Sequence, residues 1–405
     1  MKRVLAILMT MAIGATALVG CAKPEVDSSA SSDAAGTDAK AGGGDGNILV
    51  GGVNDLSGNR SVTGNAINRG VEIAVAEINA NGGILGRQVT YKVYDNKNDA
   101  QETINAYSRL ADVDKVSAVI TSDASSICMS LIEVSAEKKV PVLGMPSDPR
   151  ATMNMEEGTP YPYMFLVSQP NAYRQADLIA DYVAENTDLN KAAVFYDQSN
   201  AYAVANVEAF QEKWKELGKE VTIVQTCNST DQDFKTQLSK IKASDAEFIY
   251  TPNPTTQLVP LSNQATQLGI ELPYVGALDM ANPFISLVND PSKINAYFSA
   301  VAWMEDAKLD SLNKAYNEAY GEDAMVKTVN GYDAMYVLKA AIEKAGSDDP
   351  EAIRNALEND IQDIKLLVSD TYSQDPATHA PKDLGMVICK IENGTLINEG
   401  WFEPK

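Results

Sequence analysis

The fold turns on one stretch, Ile48–Gly83, ILVGGVNDLSGNRSVTGNAINRGVEIAVAEINANGG. It opens with a short apolar run and passes through a loop rich in Gly, Ser and Thr. It then becomes periodic. Ile67, Val71, Ala74, Val75 and Ile78 fall at helical spacing. NANGG stops the helix, with Asn81 or Gly82 suited to a left-handed C-terminal cap. Strand, loop, helix is the order of an anion cradle, so Leu56–Asn65, LSGNRSVTGN, must be tested as a phosphate loop. Gly58 and Gly64 are separated by five residues, and Asn65-Ala66 follow where Lys and Ser/Thr would stand. Without that lysine the loop does not read as a nucleotide site. A helix start can still attract a less charged anion such as a carboxylate. Ser57 and Thr63 are then the contacts expected of this loop, set against the plainer reading of a polar helix cap.

Outward from this stretch, strand and helix keep alternating. RQVTYKVYD, VSAVIT and VPVLGM read as strands, with SSICMSLIEVSAEKK as a helix before the last. The alternation restarts with the helix NAYRQADLIADYVAEN. The strands KAAVFYD, EVTIVQT, AEFIYT and LPYVGAL follow, separated by helical segments. Strands joined by helices imply right-handed crossovers and a mostly parallel sheet. Two such series imply two α/β lobes. Long helices surround SLNKAYNEAYG and GYDAMYVLKAAIEKAG, then DPEAIRNALEN. The tail LGMVICKIENGTLINEGWF reads as an antiparallel hairpin turning at Asn393-Gly394.

Composition narrows function. The 405 residues suffice for two domains. Fifty-five acidic against 33 basic residues give a net charge of -22, with no basic cluster to displace counterions from nucleic acid or to hold an anionic membrane. One histidine, His379, removes most histidine-based catalysis and most histidine metal sites. There is no G-x-S-x-G, H-E-x-x-H or EF-hand loop. Glu156-Glu157 and Asp348-Asp349 read as caps and surface charges. No catalytic residue, cofactor or metal is expected, and the chain reads as a non-enzyme. A rival enzyme of doubly wound fold would need a base, nucleophile or cofactor loop.

The N-terminus has the build of a signal peptide. MKR precedes the uncharged apolar run Val4–Val19, shorter than the roughly 20 residues that span a bilayer. It ends in LVGC, which resembles the lipobox of bacterial lipoproteins and makes Cys21 the expected lipidation site. Residues 1–20 are then signal, and 21–46 a disordered, lipid-anchored tether. As a Gly/Ser-type coil it would span roughly 25–30 Å. The remaining cysteines, Cys128, Cys227 and Cys389, are odd in number, so at least one thiol stays free unless chains pair.

Several segments together resemble a known family. ILVGGVNDLSG, NRGVEIAVAEINANGGILGR, VSAVITSDASS and VPVLGMPSDP are similar to the substrate-binding proteins of branched-chain amino-acid ABC transporters. These form the periplasmic-binding-protein type I group related to the leucine/isoleucine/valine-binding protein. The likeness resumes in VFYDQSNAYA, DFKTQLSKIKASDAEFIY, QATQLGIELPYVG and GYDAMYVLKAAIEKAGSDDPEAIRNAL, and covers Asn47 to the C-terminus. It implies two Rossmann-like lobes joined by crossing hinge strands, with a ligand cleft between them. The lobes are expected at 47–166 plus 303–371 and at 167–302 plus 372–405. It implies hinge closure on an amino acid or similar carboxylate-bearing solute, and delivery to an ABC permease with its ATPase. The protein is then extracytoplasmic and held to the cell membrane by lipid alone. A sensory module of the same fold, or a non-amino-acid solute, is the alternative.

The resemblance also distributes roles. In TSDASS it gives Ser125 and Ser126 to the solute's carboxylate end; Asp123 and Ala124 stand beside them, Asp123 where an apolar residue would suit a leucine side chain. In PSDP it points to Ser147 and Asp148, in SNAYA to Tyr202, and in TPNPTT to Asn253. Asp279 stands one residue beyond the position, Leu278, where the family carries its amine-binding acid. Thr63 and Pro254 stand where the family has aromatic rings. Fewer rings and more acids weaken the case for leucine, isoleucine or valine. An Asp123 or Asp148 facing the cleft would call for a cationic or multi-hydroxyl group on the solute.

Overall fold

The structure is a computed structural model that describes residues 46–281 and 283–403. The expected signal peptide, Cys21 and the tether up to residue 45 lie outside the described residues. Two sheets organise the rest. The first has five parallel strands in the spatial order Val89–Asp95, Ile48–Asn54, Ala118–Thr121, Val142–Gly144 and Met164–Leu166. Helices cover both faces, so its inner strands are short apolar runs, while the edge strand Val89–Asp95 alternates. The second sheet runs Thr395–Phe402, Met386–Glu392, Ala296–Ala300, Tyr274–Gly276, Phe248–Tyr250, Lys191–Asp197 and Glu220–Cys227. Five of its strands are parallel, and the C-terminal hairpin adds two antiparallel ones. The hairpin turns where expected. Asn393 and Gly394 both take positive φ, 49° and 78°, as a tight two-residue turn requires.

The first lobe is assembled from distant parts of the chain. The opening helix Ser61–Ala80 packs along much of its length against the closing helix Val326–Ala345. Ile67, Val71, Ala74 and Ile78 share one core with Val329, Met335 and Leu338. The helices approach closely because two glycines meet the opposite backbone. A Cβ at Gly70 would lie 2.1 Å from the Thr328 carbonyl, and one at Gly331 would lie 2.0 Å from the Ile67 carbonyl. Polar ties flank the crossing. The hydroxyls of Tyr332 and Tyr336 donate to Glu77 at 2.7 and 2.9 Å.

Three expectations change. The helix begins at Ser61, so Thr63 sits in its first turn rather than in a loop. Asp55 tightens the preceding turn by accepting the N–H groups of Gly58 and Arg60. SSICMSLIEVSAEKK forms two short helices, Ser125–Met129 and Ile132–Lys138. At the break the Ser130 hydroxyl donates to the Ile127 carbonyl, a local bond that competes with helix propagation. Cys128, Cys227 and Cys389 are all buried free thiols. The last change concerns the segment after 371, which was expected with the second lobe. Tyr372 and Leu384 belong to the first lobe's core, and His379 stacks on Phe165 at 4.2 Å. The His379 carbonyl accepts the Leu166 N–H, and the Gln374 amide donates to the Leu166 carbonyl. This segment covers the exposed edge of the first sheet, where unpaired strand groups need partners. The chain therefore leaves the first lobe only near Met386.

Alanine at position 331 tests the crossing. Helix propensity alone would gain about 1 kcal/mol from Gly to Ala. The Ile67 carbonyl makes the opposite sign the expectation, a loss of about 1–3 kcal/mol in chemical denaturation. A stabilised Gly331→Ala protein would show that the helices do not touch through their backbones.

Candidate functional site

A cavity of about 790 Å³ opens where the carboxyl ends of the parallel strands meet. That is where open α/β sheets hold ligands. Helix starts converge on it. Thr63 lies in the first turn of the opening helix, Ser125 and Ser126 begin a short helix, Thr256 lies in the first turn of Thr255–Gln267, and Lys327 in that of the closing helix. The helices at Ser61, Ser125 and Thr255 lack a side-chain cap. The Ser61 N–H is taken by the Gly58 carbonyl; the first N–H groups at Ser125 and Thr255 remain available and bias the space toward negative charge.

The first-lobe wall carries an ionic cluster. Asp123, with its side chain 8% exposed, accepts from Arg60 Nη2 at 3.0 and 3.1 Å and pairs with Lys327 Nζ at 3.2 Å. Burial alone would raise its carboxyl; Lys327 and Arg60 outweigh that and hold it below the ordinary range. The cation expected from a solute is thus supplied by the protein itself.

From Lys327 a hydrogen-bonded chain crosses the cavity floor. Lys327 donates to Gln169 Oε1 at 3.3 Å, and the Gln169 amide donates to Ser147 Oγ at 3.1 Å. The Gln175 amide donates to the same Ser147 oxygen at 3.2 Å, and the Tyr202 hydroxyl donates to Gln175 Oε1 at 2.9 Å. Ser147 Oγ accepts twice, so its proton is the function left to offer. Ser125 Oγ accepts the Asp148 N–H at 3.2 Å and likewise keeps its proton.

On the second lobe the Leu278–Met280 turn places Asp279 at the cavity. Among the described residues its carboxylate has no side-chain hydrogen-bond or ion-pair partner; the Thr255 backbone N–H bonds it, and the Thr255 hydroxyl bonds its carbonyl. Burial pushes the Asp279 carboxyl above its usual range, Lys327 and Arg60 pull it partly back, and Asp123 adds to the rise. Asp197 borders the same space, but its oxygens are taken by Ser199 and Gln257.

Thr63, Asp123, Ala124, Ser125, Ser126, Ser147, Tyr202 and Asp279 are brought together at this cavity. Three other candidates are placed elsewhere. The Ser57 hydroxyl is bound to Asp95. Asp148 is buried, paired with Arg150 at 2.6 Å, and caps the turn that follows. Asn253 is buried behind the wall, where its Oδ1 accepts the Asp197 N–H. Arg60, Lys327, Gln169 and Gln175 were not anticipated. A signal existed for two of them. Arg60 stands at the N-cap position of one helix and Lys327 lies in the first turn of another, where positive charge opposes the helix dipole. Among the described residues no cluster of three or more His, Cys, Asp and Glu is placed to hold a metal ion. No described helix is long and apolar enough to cross a membrane.

With this geometry in hand, known proteins offer a comparison. The family model described as periplasmic binding protein matches residues 47–395. The Leu/Ile/Val-binding protein homolog 3 of Brucella melitensis is 26% identical, over 86% of this chain and 93% of that protein. The branched-chain amino acid transporter substrate binding protein LivJ of Streptococcus pneumoniae, solved with isoleucine, superposes with a TM-score of 0.74. It is 25% identical and covers 88% of this chain and 100% of its own. A solute binding protein of an ABC transporter from Rhodopseudomonas palustris, solved with 3,4-dihydroxybenzoic acid, superposes at 0.71. It is 18% identical, over 88% of this chain and 97% of its own, and shares the fold.

The Asp123 cluster has a pH signature. A carboxyl held below its unfolded value adds stability above about pH 4 and loses it as the pH falls through the folded value. Asp123→Asn should therefore lower the unfolding free energy at pH 7, by no more than about 3 kcal/mol because Arg60 is half exposed. The gap to the native protein should close toward pH 3. An equal gap at both pH values would remove Asp123 from the ionised pair.

Proposed function

We propose that this chain, which belongs to the periplasmic binding protein family, captures an amino acid in its interlobe cleft and delivers it to an ABC permease. One observation carries the reading: Asp279 brings a partly buried carboxylate to the cavity, held by the Thr255 backbone N–H and, among the described residues, by no side-chain hydrogen bond or ion pair. A buried carboxylate without a cationic partner in contact is costly, and a solute ammonium would supply one. Ser125, Ser126 and Ser147 supply hydroxyl and N–H donors on the other lobe, suited to the solute's carboxylate. A solute held by both lobes bridges them, and its differential affinity shifts the population toward a closed form. A permease reads that form. An aromatic acid without an ammonium would leave Asp279 unanswered, which favours the amino acid. Lipidation at Cys21 would keep the binding body near the permease at the outer face of the membrane.

A melting-point panel of amino acids and aromatic acids tests this. A bound solute at 100 times its Kd adds about 2.7 kcal/mol. At least one amino acid should stabilise the protein, and Asp279→Asn should weaken it by about 1.5–3 kcal/mol. Stabilisation by aromatic acids alone would refute the reading. Ser125→Ala should cost the same amino acid roughly 1–3 kcal/mol of affinity at an unchanged melting point of the free protein. Undiminished binding would take Ser125 out of the site.

A further inference from the structure

The charged side chains that line the cavity do not balance. Arg60 and Lys327 stand against Asp123, Asp197 and Asp279, a surplus of one negative charge when all three acids are ionised. The acids differ in what answers them. Asp123 holds both cations of the wall. Asp279 meets the solute's ammonium in the reading above. Asp197 is in no ion pair among the described residues. The solute's α-carboxylate faces the first lobe, where two cations outnumber Asp123, and offsets that difference. A zwitterion with a neutral side chain therefore leaves the charge of Asp197 unanswered. Lobe closure would remove this charge from water, and a buried charge must be paired.

Neutral donors hold the Asp197 carboxylate in place. Its Oδ1 accepts the Ser199 N–H at 2.8 Å and the Ser199 hydroxyl at 2.6 Å, and its Oδ2 accepts the Gln257 amide at 3.1 Å. A carboxylate has about four acceptor positions, so Oδ2 keeps one. The Gln257 amide also donates to the Asn228 carbonyl at 3.1 Å. Carboxylate and carbonyl only accept, so the amide nitrogen must face both of them. That leaves Gln257 Oε1 buried with no partner among the described residues, on a side chain that lines the cavity. A buried acceptor without a donor is costly. Negative potential dominates this end of the cavity. Burial, then Asp197 and Asp231, push the Cys227 thiol up to about 12.

The spacing suits a single solute. Asp197 ends the strand Lys191–Asp197, Asp279 follows the strand Tyr274–Gly276, and Phe248–Tyr250 runs between them. Two strand spacings of ~4.8 Å put these strand ends about 10 Å apart. Two ammonium groups on one extended chain reach across such a gap, with a hydrogen bond at each end.

We propose that the solute is a basic amino acid, whose side-chain cation is received by Asp197 and Gln257 Oε1 while its α-ammonium meets Asp279. This rests on the amino-acid reading above and adds the side-chain class. The solute's single net positive charge cancels the surplus of the lining. Charge-assisted bonds to a carboxylate are shorter and stronger than neutral ones. A branched aliphatic side chain would cover Asp197 without pairing it. An amide would bring donors but no charge. Asp197 and Gln257 are therefore the specificity-determining residues of the second lobe.

Calorimetric titration of the full-length protein in detergent tests this with L-lysine, L-ornithine, L-arginine, L-glutamine, L-leucine, L-norleucine and cadaverine. One of the basic amino acids should bind at least ~10-fold more tightly than glutamine, leucine and norleucine. Norleucine is lysine without its terminal ammonium, so that comparison needs no change to the protein. Asp197→Asn should abolish the preference. Gln257→Met, which removes the unpaired acceptor at similar length, should reduce it. Leucine, norleucine or glutamine binding as tightly as every basic amino acid would overturn the proposal and leave the amino-acid reading intact. So would a preference that neither variant changes in proteins of native melting point. Cadaverine binding where no amino acid binds would overturn both readings, because no carboxylate would then be recognised.

Discussion

The organisation of this protein depends on two helices touching through bare backbone. Gly70 and Gly331 let the opening and closing helices approach until a methyl group would collide with a carbonyl. No side chain intervenes that could adjust, so the relative placement of the two helices is fixed by the main chain. Their N-terminal ends are fixed with it, and those ends carry Arg60, Thr63 and Lys327 to the cavity. Asp123 meets both cations because the helix crossing, and not local sequence, sets where they stand. The same contact reaches the hinge. Asn330, next to Gly331, accepts from the Ser168 hydroxyl through its carbonyl and donates its side-chain amide to the Ser168 carbonyl. Ser168 is buried at the first crossing between lobes and holds a left-handed φ of 60°. A residue with a side chain stays in that conformation only where its surroundings over-determine it.

Much of the fold was legible because it is written in short-range patterns. The 3.6-residue period of Ile67 to Ile78 and the repeated strand–helix order express local geometry. The Asn-Gly turn requires two positive φ angles that few residue pairs supply. What was not legible depends on partners far along the chain. The segment from Tyr372 to Leu384 has no period of its own; its place is set by the edge strand Met164–Leu166 that needs covering. The broken helix after Ser125 turns on one serine hydroxyl choosing a nearby carbonyl.

The site divides in the same way. Ser125, Ser147, Tyr202 and Asp279 follow the ends of parallel strands, and those positions can be read once the strands are. Arg60 and Lys327 lie at opposite ends of the sequence of the folded body, and their meeting is a product of the helix crossing. Their chemistry also reverses an expectation. An acid in the cleft suggests a cationic solute when read by itself; Asp123 is instead answered by two cations of the protein. Ser57, Asp148 and Asn253 show the complementary error. Each has the right chemistry near the right loop, but Asp95, Arg150 and the Asp197 backbone claim it first.

The discontinuous first lobe has a consequence for how the chain comes into being. Its sheet is complete by Leu166, yet its core also needs Leu312, Tyr316, Val329, Leu338, Ile353 and Leu357. During synthesis the first lobe therefore emerges early and stays open, with apolar sheet surface awaiting helices not yet made. The five parallel strands of the second sheet, all between Lys191 and Ala300, emerge in the interval. Most of the second sheet is thus made while the first lobe still waits for its helices, so the exposed first sheet is a surface that a growing chain must keep from aggregating.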